Sequence, residues 1–210
     1  MKILVLGASG LVGSNVISQA LRSPEIALVI APTRRPLSPD EKLVNPVLAD
    51  LGDGMRDPAN FAVDAVVCAL GTTSKKAGSN EAFRHVDYEL PLAFAREAFR
   101  LGVNTFALVT AIGASVNSSF LYPRLKGELE RDIKTVGFTS LTIARPSMIG
   151  GDRAEHRGGE SVALFLAKFL RPVLPRKFHV NPAENIAAAL LEAAVDQHPG
   201  CHYRYAESMV

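Results

Sequence analysis

The stretch that decides the fold is ILVLGASGLVG, residues 3–13, near the start of this 210-residue chain. Its first four residues are apolar and predict a buried strand, while the apolar spacing of residues 11–21 predicts a helix. Gly7 permits a tight turn between them, Gly10 lets the backbone approach a pyrophosphate, and Gly13 lets helix and strand pack closely. This GxxGxxG motif predicts a dinucleotide site, the alternative being an ordinary glycine-rich turn.

Apolar runs of strand length alternate with helix-type patterns along the rest of the chain. Strands are predicted at residues 27–30, 46–49, 65–70, 105–110 and 140–144, and helices at 87–101, 119–136, 161–170 and 182–195. Asp87 is interpreted as the N-cap of its helix. Near-continuously apolar strands alternating with helices predict an α/β, doubly wound parallel sheet of the Rossmann type. We expect one domain over residues 1–210, with a minimal substrate-side cap after about residue 146.

The composition limits the classes of function. With 23 Lys and Arg against 21 Asp and Glu, the net charge of +2 gives no reason to expect a nucleic-acid or membrane partner. Neither the two cysteines nor the five histidines have the spacing of a disulfide framework or a metal site. The N-terminal apolar run is too short for a signal peptide and leads directly into glycines. We therefore expect a soluble, unexported, cytoplasmic protein without a metal.

The ends of the second, third and fourth strands carry the next cofactor predictions. Arg34 and Arg35 stand where an NAD-selective site has an acid, and arginine there accommodates the 2′-phosphate of NADP. NADP(H) is thus the expected cofactor, with NAD(H) as the alternative, unless the pair is an ordinary solvated loop. Asp50 is predicted either to bind the adenine amino group or to cap a turn. Leu70, Gly71 and Thr72 are also predicted to bind the cofactor, because they follow the fourth strand at the edge of the sheet where a bound dinucleotide passes.

Candidate catalytic residues follow the fifth strand. Tyr122 and Lys126 form a YxxxK pattern, whose spacing puts phenol and ammonium on one face of a helix. There the cation can lower the tyrosine pKa from about 10 and favour proton exchange near neutrality. Thr110 ends the fifth strand, and its hydroxyl is predicted to polarise a substrate carbonyl or, alternatively, only to finish the strand.

Together, the GxxGxxG motif, the arginine pair and the YxxxK pattern resemble the short-chain dehydrogenase/reductase superfamily, in its atypical NAD(P)-binding branch. The segments CALGTT at 68–73, YPRLKGE at 122–128 and DRAEHRGGE at 152–160 look more closely like the family of the human Tat-interacting oxidoreductase-like protein and its small bacterial relatives. The resemblance implies that residues 9–12 wrap the pyrophosphate, that Tyr122 is the acid/base and that Lys126 holds the nicotinamide ribose. It adds these cofactor-binding positions: Ser9, Leu11, Val12, Pro146, Ile149 beside the nicotinamide, and Arg157.

One position departs from the family pattern. Where many relatives have serine after the fifth strand, this chain has Thr110-Ala111. If Ala111 is the matching position, the triad of hydroxyl, tyrosine and lysine is incomplete. The alternative hydroxyls are those of Ser115, Ser118 and Ser119.

Three functions are compatible with these features. The first is an NADP(H)-dependent oxidoreductase acting on a small carbonyl or alcohol. The second is an NADP(H)-binding regulatory or scaffold protein without turnover, and the third a nucleotide-sugar epimerase or dehydratase. The short segment after residue 146 favours a small substrate or a pocket completed by a second subunit, as in a homodimer. The segment after residue 146 is too short to form a good sugar-nucleotide domain.

Overall fold

The computed structural model describes residues 1–151, 175 and 179–210. Seven strands form one sheet in which all neighbouring pairs are parallel. They are β1 (Lys2–Leu6), β2 (Leu28–Ile30), β3 (Leu43–Val44), β4 (Ala65–Cys68), β5 (Thr105–Val109), β6 (Ser140–Arg145) and β9 (Gly200–Tyr205). Their order across the sheet is β3-β2-β1-β4-β5-β6-β9, and β7 (Ile149–Gly150) and β8 (Asn181–Pro182) form a separate parallel pair. The predicted doubly wound Rossmann-type fold is confirmed.

Helices cover both faces of this sheet. They are α1 (Leu11–Arg22), α2 (Ser74–Ala77), α3 (Asn80–Arg84), α4 (Leu90–Arg100), α5 (Leu121–Lys134) and α6 (Ala183–Asp196). A π-helical turn, His85–Glu89, joins α3 to α4, and short 3₁₀ turns lie at Leu51–Arg56, Pro58–Phe61 and Ala206–Met209. No helix in the described part of the chain is long and apolar enough to cross a bilayer.

The alternation of β1 side chains builds a core on each face of the sheet. Ile3 and Val5 lie in one apolar cluster with α1 and α6, while Leu4 and Leu6 lie in the other with α4 and α5. All four are fully buried, and burying one such side chain stabilises the fold by about 1.5–3 kcal/mol. Successive strand residues point to opposite faces, so an unbroken apolar run fits a strand that is covered on both sides.

The third and last strands differ from the prediction. Instead of residues 46–49, β3 is Leu43–Val44, because its register is set by pairing with Val29 and Ile30 of β2. Pro46 has no N–H to donate, and beyond it only an isolated bridge joins Thr33 to Val47. Strand β9 was not predicted, because its exposed polar residues resemble a loop and it is ordered by pairing with β6.

The helix predicted at 87–101 begins earlier and is interrupted. Ser79 caps α3, accepting a hydrogen bond from the Ala82 N–H at 3.1 Å. Within the π turn the Leu90 N–H donates to the His85 carbonyl, just before Pro91, which has no N–H of its own. Asp87 therefore lies inside a helical segment and is buried, not at an N-cap as predicted.

Candidate functional site

The glycine motif forms a tight turn between β1 and α1. Gly7 has φ +81°, and its carbonyl accepts a hydrogen bond from the Gly10 N–H at 2.9 Å. A Cβ atom at Gly13 would lie 2.1 Å from the Gly7 oxygen, so only glycine lets the helix lie this close to the turn. Gly10 at the N-cap has no side chain, and the first turn of α1 carries no acid. Its N–H groups and the helix dipole suit a phosphate anion.

Two other loops meet this turn at the carboxyl edge of the sheet. A Cβ atom at Gly7 would lie 2.6 Å from the Ala69 oxygen, which places the end of β4 directly against the turn. A Cβ atom at Gly151, just after β7, would lie 3.1 Å from Leu11 Cδ1. Ile149 of β7 also packs against the core cluster that contains Val12. The predicted pyrophosphate turn, the loop after β4 and the segment after β6 are thus brought together.

The arginine pair lies on an ordered loop after β2. Thr33 is buried, its hydroxyl donates to the Arg35 carbonyl at 2.6 Å, and Asn45 Nδ2 donates to the Thr33 hydroxyl at 2.8 Å. Arg34 and Arg35 are exposed, and neither guanidinium has a hydrogen bond or ion pair with the described residues. Asp50 is exposed and caps the next 3₁₀ turn, accepting from the Gly52 N–H at 2.8 Å. The turn-capping alternative for Asp50 is therefore observed, and its adenine contact stays a prediction.

A buried ion pair lies between α5 and the loop after β4. Lys126 Nζ is 2.8 Å from Asp87 Oδ1, and both side chains are almost fully buried. The other carboxylate oxygen accepts a hydrogen bond from the Thr72 N–H at 2.8 Å. A Cβ atom at Gly71 would lie 3.4 Å from Asp87 Oδ1 and 3.9 Å from Lys126 Nζ. The loop predicted to line the cofactor path, which begins at the buried Leu70, thus passes over this pair.

Tyr122 lies one helical turn before Lys126 and is 43% exposed. Its ring packs against Phe83 with a centroid distance of 6.1 Å. Partial burial raises the pKa of the Tyr122 hydroxyl above its usual value, the Lys126 ammonium opposes this, and the Asp87 carboxylate reinforces it. The net direction is opposite to the predicted lowering, because the cation acts together with its counterion and the phenolate is poorly solvated.

Thr110 belongs to a second buried polar cluster. Its hydroxyl donates to Glu130 Oε1 at 2.6 Å, and Arg145 binds both oxygens of the same carboxylate. Thr110 and Glu130 are 3% and 2% exposed. The guanidinium of Arg145 also lies 4.6 Å from the centre of the Tyr203 ring. This geometry favours the alternative in which Thr110 only finishes the strand, and its contact with a substrate carbonyl stays a prediction.

The substitute hydroxyls lie on the loop after β5, where Ser115 and Ser119 are exposed and Ser118 is half-buried. The Ser115 N–H donates to the Pro123 carbonyl at 2.9 Å, so this loop lies against the first turn of α5. The Ser115 hydroxyl accepts from the Asn117 N–H, and that of Ser118 accepts from the Phe120 N–H. The buried Pro146 accepts from the Ile112 N–H at 2.7 Å, joining the loops after β5 and β6. Arg157 and the helix predicted at 161–170 lie outside the described residues.

The sequence interpretation missed two residues of these clusters, Asp87 and Glu130. An aspartate before an apolar helix resembles an N-cap, which hid the role of Asp87. Glu130 follows Lys126 by four residues, so Tyr122, Lys126 and Glu130 share one face of α5. That i, i+4, i+8 spacing was the available signal. Among the described residues, no three His, Cys, Asp or Glu side chains are grouped so as to hold a metal ion.

The chain is similar in fold to solved structures that include NAD complexes and a UDP-glucose 4-epimerase. MoeE5, solved in complex with UDP-glucose and NAD, matches with a TM-score of 0.72 at 15% identity, over 97% of this chain and 75% of that chain. A UDP-glucose 4-epimerase from Thermotoga maritima matches with a TM-score of 0.69 at 15% identity, over 98% of this chain and 77% of that chain. WbmG of Bordetella bronchiseptica in complex with NAD matches with a TM-score of 0.71 at 14% identity, over 98% of this chain and 72% of that chain. At this level of identity the likeness shows a shared fold.

Sequence comparison finds fungal relatives. Protein FMP52 of Candida albicans is 39% identical over 171 residues, which is 78% of this chain and 74% of the relative. FMP52 of Eremothecium gossypii is 36% identical over 172 residues, 81% and 77% of the two chains. Both are named mitochondrial proteins, so the prediction of a cytoplasmic protein is wrong. The HIM1 family model matches residues 53–171. This match covers more than half of the chain, which therefore belongs to the HIM1 family.

Proposed function

We propose that this protein is an NADP(H)-dependent oxidoreductase that acts on a small carbonyl or alcohol substrate. The observation that carries the proposal is the position of Tyr122 and Lys126 on one face of α5, with Lys126 beside Gly71 in the loop that follows β4. A proton donor next to a dinucleotide-type turn is the arrangement that carbonyl reduction requires. The resemblance of the YxxxK segment to the short-chain dehydrogenase/reductase superfamily supports the same assignment.

The residues fit the cofactor at three points. The N-terminus of α1, without a capping side chain or acid, would hold the pyrophosphate. Arg34 and Arg35 would bind the 2′-phosphate, because two exposed guanidiniums on an ordered loop can form charge-assisted hydrogen bonds with it. Gly71 leaves room for the nicotinamide end to pass close to the backbone. When bound, NADPH supplies a hydride to the carbonyl carbon.

Tyr122 would supply the proton in this reaction. Its hydroxyl, whose pKa burial raises above the usual value, is protonated at neutral pH and would donate from Oη to the carbonyl oxygen as a general acid. The ammonium of Lys126, held by Asp87, limits the cost of the phenolate that forms when the proton leaves. In the direction of alcohol oxidation the same phenolate would accept the proton.

Exposed apolar side chains near Tyr122 favour an uncharged substrate with an apolar body. They lie on the loops after β5 and β6 and just before α5. Ile112, Val116, Phe120 and Met148 are 37%, 39%, 78% and 41% exposed. A sugar nucleotide needs cations for its diphosphate, and the guanidinium of Arg124, near the start of α5, lies 4.0 Å from the Glu128 carboxylate. The fold shared with the epimerases is therefore insufficient reason to propose a sugar-nucleotide substrate.

The test is NADPH oxidation by a panel of aldehydes, ketones and quinones, with Tyr122→Phe as the decisive variant. This change keeps the ring against Phe83 but removes the proton, so we expect turnover to fall by about 10²–10⁴-fold with little change in NADPH affinity. Tyr205→Phe is the matched control, because Tyr205 is similarly exposed but lies on the edge strand β9. Full activity of cofactor-saturated Tyr122→Phe would refute the mechanism.

The alternative function, an NADP(H)-binding regulatory protein, gives a different result in the same experiment. No carbonyl would oxidise NADPH above the rate without protein, and Tyr122→Phe would change nothing but partner binding. Isothermal titration with NADPH, run first, would show in either case whether the cofactor binds.

A further inference from the structure

Asp87 is the buried acid that the YxxxK pattern does not contain. Asp87 is 1% exposed, so it does not serve to solvate the surface. It also caps no helix, because it lies inside the π turn. A charged carboxylate is costly to bury unless it is paired and hydrogen-bonded, and here Lys126 and the Thr72 N–H supply both interactions at 2.8 Å. The π turn His85–Glu89 contains Asp87, within the helical segment that packs beside α5.

We propose that Asp87 is a positioning residue. Its carboxylate binds both the Lys126 ammonium and the backbone N–H of Thr72, and thereby fixes the position of Lys126 relative to Tyr122 and to the loop predicted to line the cofactor path. The proposal deepens the proposed function, since it assigns the residue that orients the lysine of that site. It rests on two contacts from separate elements, α5 and the loop after β4, that meet on one side chain.

The other titratable groups around the pair do not substitute for Asp87. Cys68 on β4 interacts electrostatically with both Lys126 and Asp87. Burial raises the pKa of its thiol to about 11, so it remains neutral near pH 7. On the π turn itself, His85 and Glu89 are half exposed and pair with each other at 3.1 Å. Further along α5, Glu130 is bound by Arg145. Apart from burial, which has the largest effect on its pKa, Tyr122 thus responds to Lys126 and Asp87.

The first experiment measures the ionisation of Tyr122 in the protein without cofactor or substrate. Tyrosinate absorbance at 295 nm is titrated, and the Tyr122 contribution is the difference from the same protein carrying Tyr122→Phe. Asp87→Asn keeps the shape but removes the charge, so the Lys126 cation is left uncompensated. We expect the Tyr122 midpoint to fall, because the carboxylate that opposes the phenolate is gone and the cation that stabilises it remains.

Two further variants test whether the effect runs through Lys126. In Asp87→Asn/Lys126→Met the midpoint should rise again, because the cation responsible for the fall is gone. Asp132→Asn is the matched control: this carboxylate lies on α5, as Lys126 does, but it accepts a hydrogen bond from the Tyr88 hydroxyl at 2.6 Å, and we expect no change in the Tyr122 midpoint. If Asp87→Asn alone does not fold but the double variant does, Lys126 is again identified as the partner.

Binding provides the second readout. Asp87→Ala also removes the acceptor of the Thr72 N–H, so we expect NADPH affinity to fall at least tenfold, whereas Asp132→Ala should leave it unchanged. An unchanged Tyr122 midpoint in folded Asp87→Asn would overturn the proposal, as would failure of both the single and the double variant to fold. Neither result depends on turnover, so the proposed oxidoreductase activity can fail while this inference stands, and the reverse.

Discussion

Replacing Gly13 with alanine tests whether the glycine motif is built for close packing or only for conformational freedom. Gly13 lies in the first half of α1, where alanine would ordinarily be better than glycine by about 0.5–1 kcal/mol. The structure predicts the opposite sign. The new methyl carbon would lie 2.1 Å from the Gly7 oxygen, 2.6 Å from the Gly7 carbonyl carbon and 2.9 Å from Ala8 Cα.

All three neighbours are backbone atoms, so none can rotate away. To reach an ordinary contact of 3.4 Å or more, the helix and the turn must separate by more than 1 Å. Overpacking of this kind costs about 1–3 kcal/mol, and at this site the shift also moves the turn out of register with α1. We expect a net loss of about 2 kcal/mol, or a melting temperature lower by roughly 4–8 °C.

Gly10→Ala is the matched control within the motif. Its Cβ would meet the Gly7 oxygen at 3.2 Å, and the backbone of Gly10, with φ −83°, suits any residue. We expect its unfolding free energy to change by less than about 1 kcal/mol, while NADPH affinity falls because the methyl group stands where the pyrophosphate approaches. Urea denaturation and NADPH titration of both variants separate the two effects. Wild-type stability in Gly13→Ala would refute the packing argument.

Two further outcomes are expected. NADPH should bind more tightly than NADH by about 1.5–3 kcal/mol, the contribution of charge-assisted hydrogen bonds to the 2′-phosphate, and Arg34→Ala/Arg35→Ala should abolish the difference; equal affinities in the wild type would contradict it. Because burial raises the pKa of the Cys68 thiol from 9.0 to about 11, its contribution to stability is present below pH 9 and lost as the pH rises towards 11. Urea titrations should find an alkaline loss about 3 kcal/mol smaller in Cys68→Ala than in the wild type, and identical pH profiles would argue against it.

The fold could be predicted because its strands are buried on both faces. Residues 3–6 and 65–68 are fully buried, so each is an unbroken apolar run that a sequence displays directly. Edge strands lack that signal. Strand β3 has two residues whose position is set by β2, and β9 is exposed over most of its length, so both depend on pairing partners far away in the chain.

The same distinction applies to the candidate site. Its local patterns, the glycines of the turn and the spacing of Tyr122 and Lys126, are visible because each lies within one element. The partner of Lys126 comes from a separate helical segment, and a sequence gives no sign that Asp87 and Lys126 meet. Thr110 shows the same limit: the acceptor of its hydroxyl, Glu130, lies on α5, and the sequence gives no sign that the two meet.

The counterion also changes what the YxxxK pattern does. A lysine alone would lower the tyrosine pKa and favour a phenolate that accepts a proton, which is the chemistry of alcohol oxidation. With Asp87 beside it, the pair is nearly neutral as seen from Tyr122, and burial raises the pKa of that hydroxyl. A protonated Tyr122 is a proton donor, which is what the proposed carbonyl reduction requires. The pKa of Tyr122 therefore depends on its burial first, and then on both members of an ion pair of which the pattern contains only the lysine.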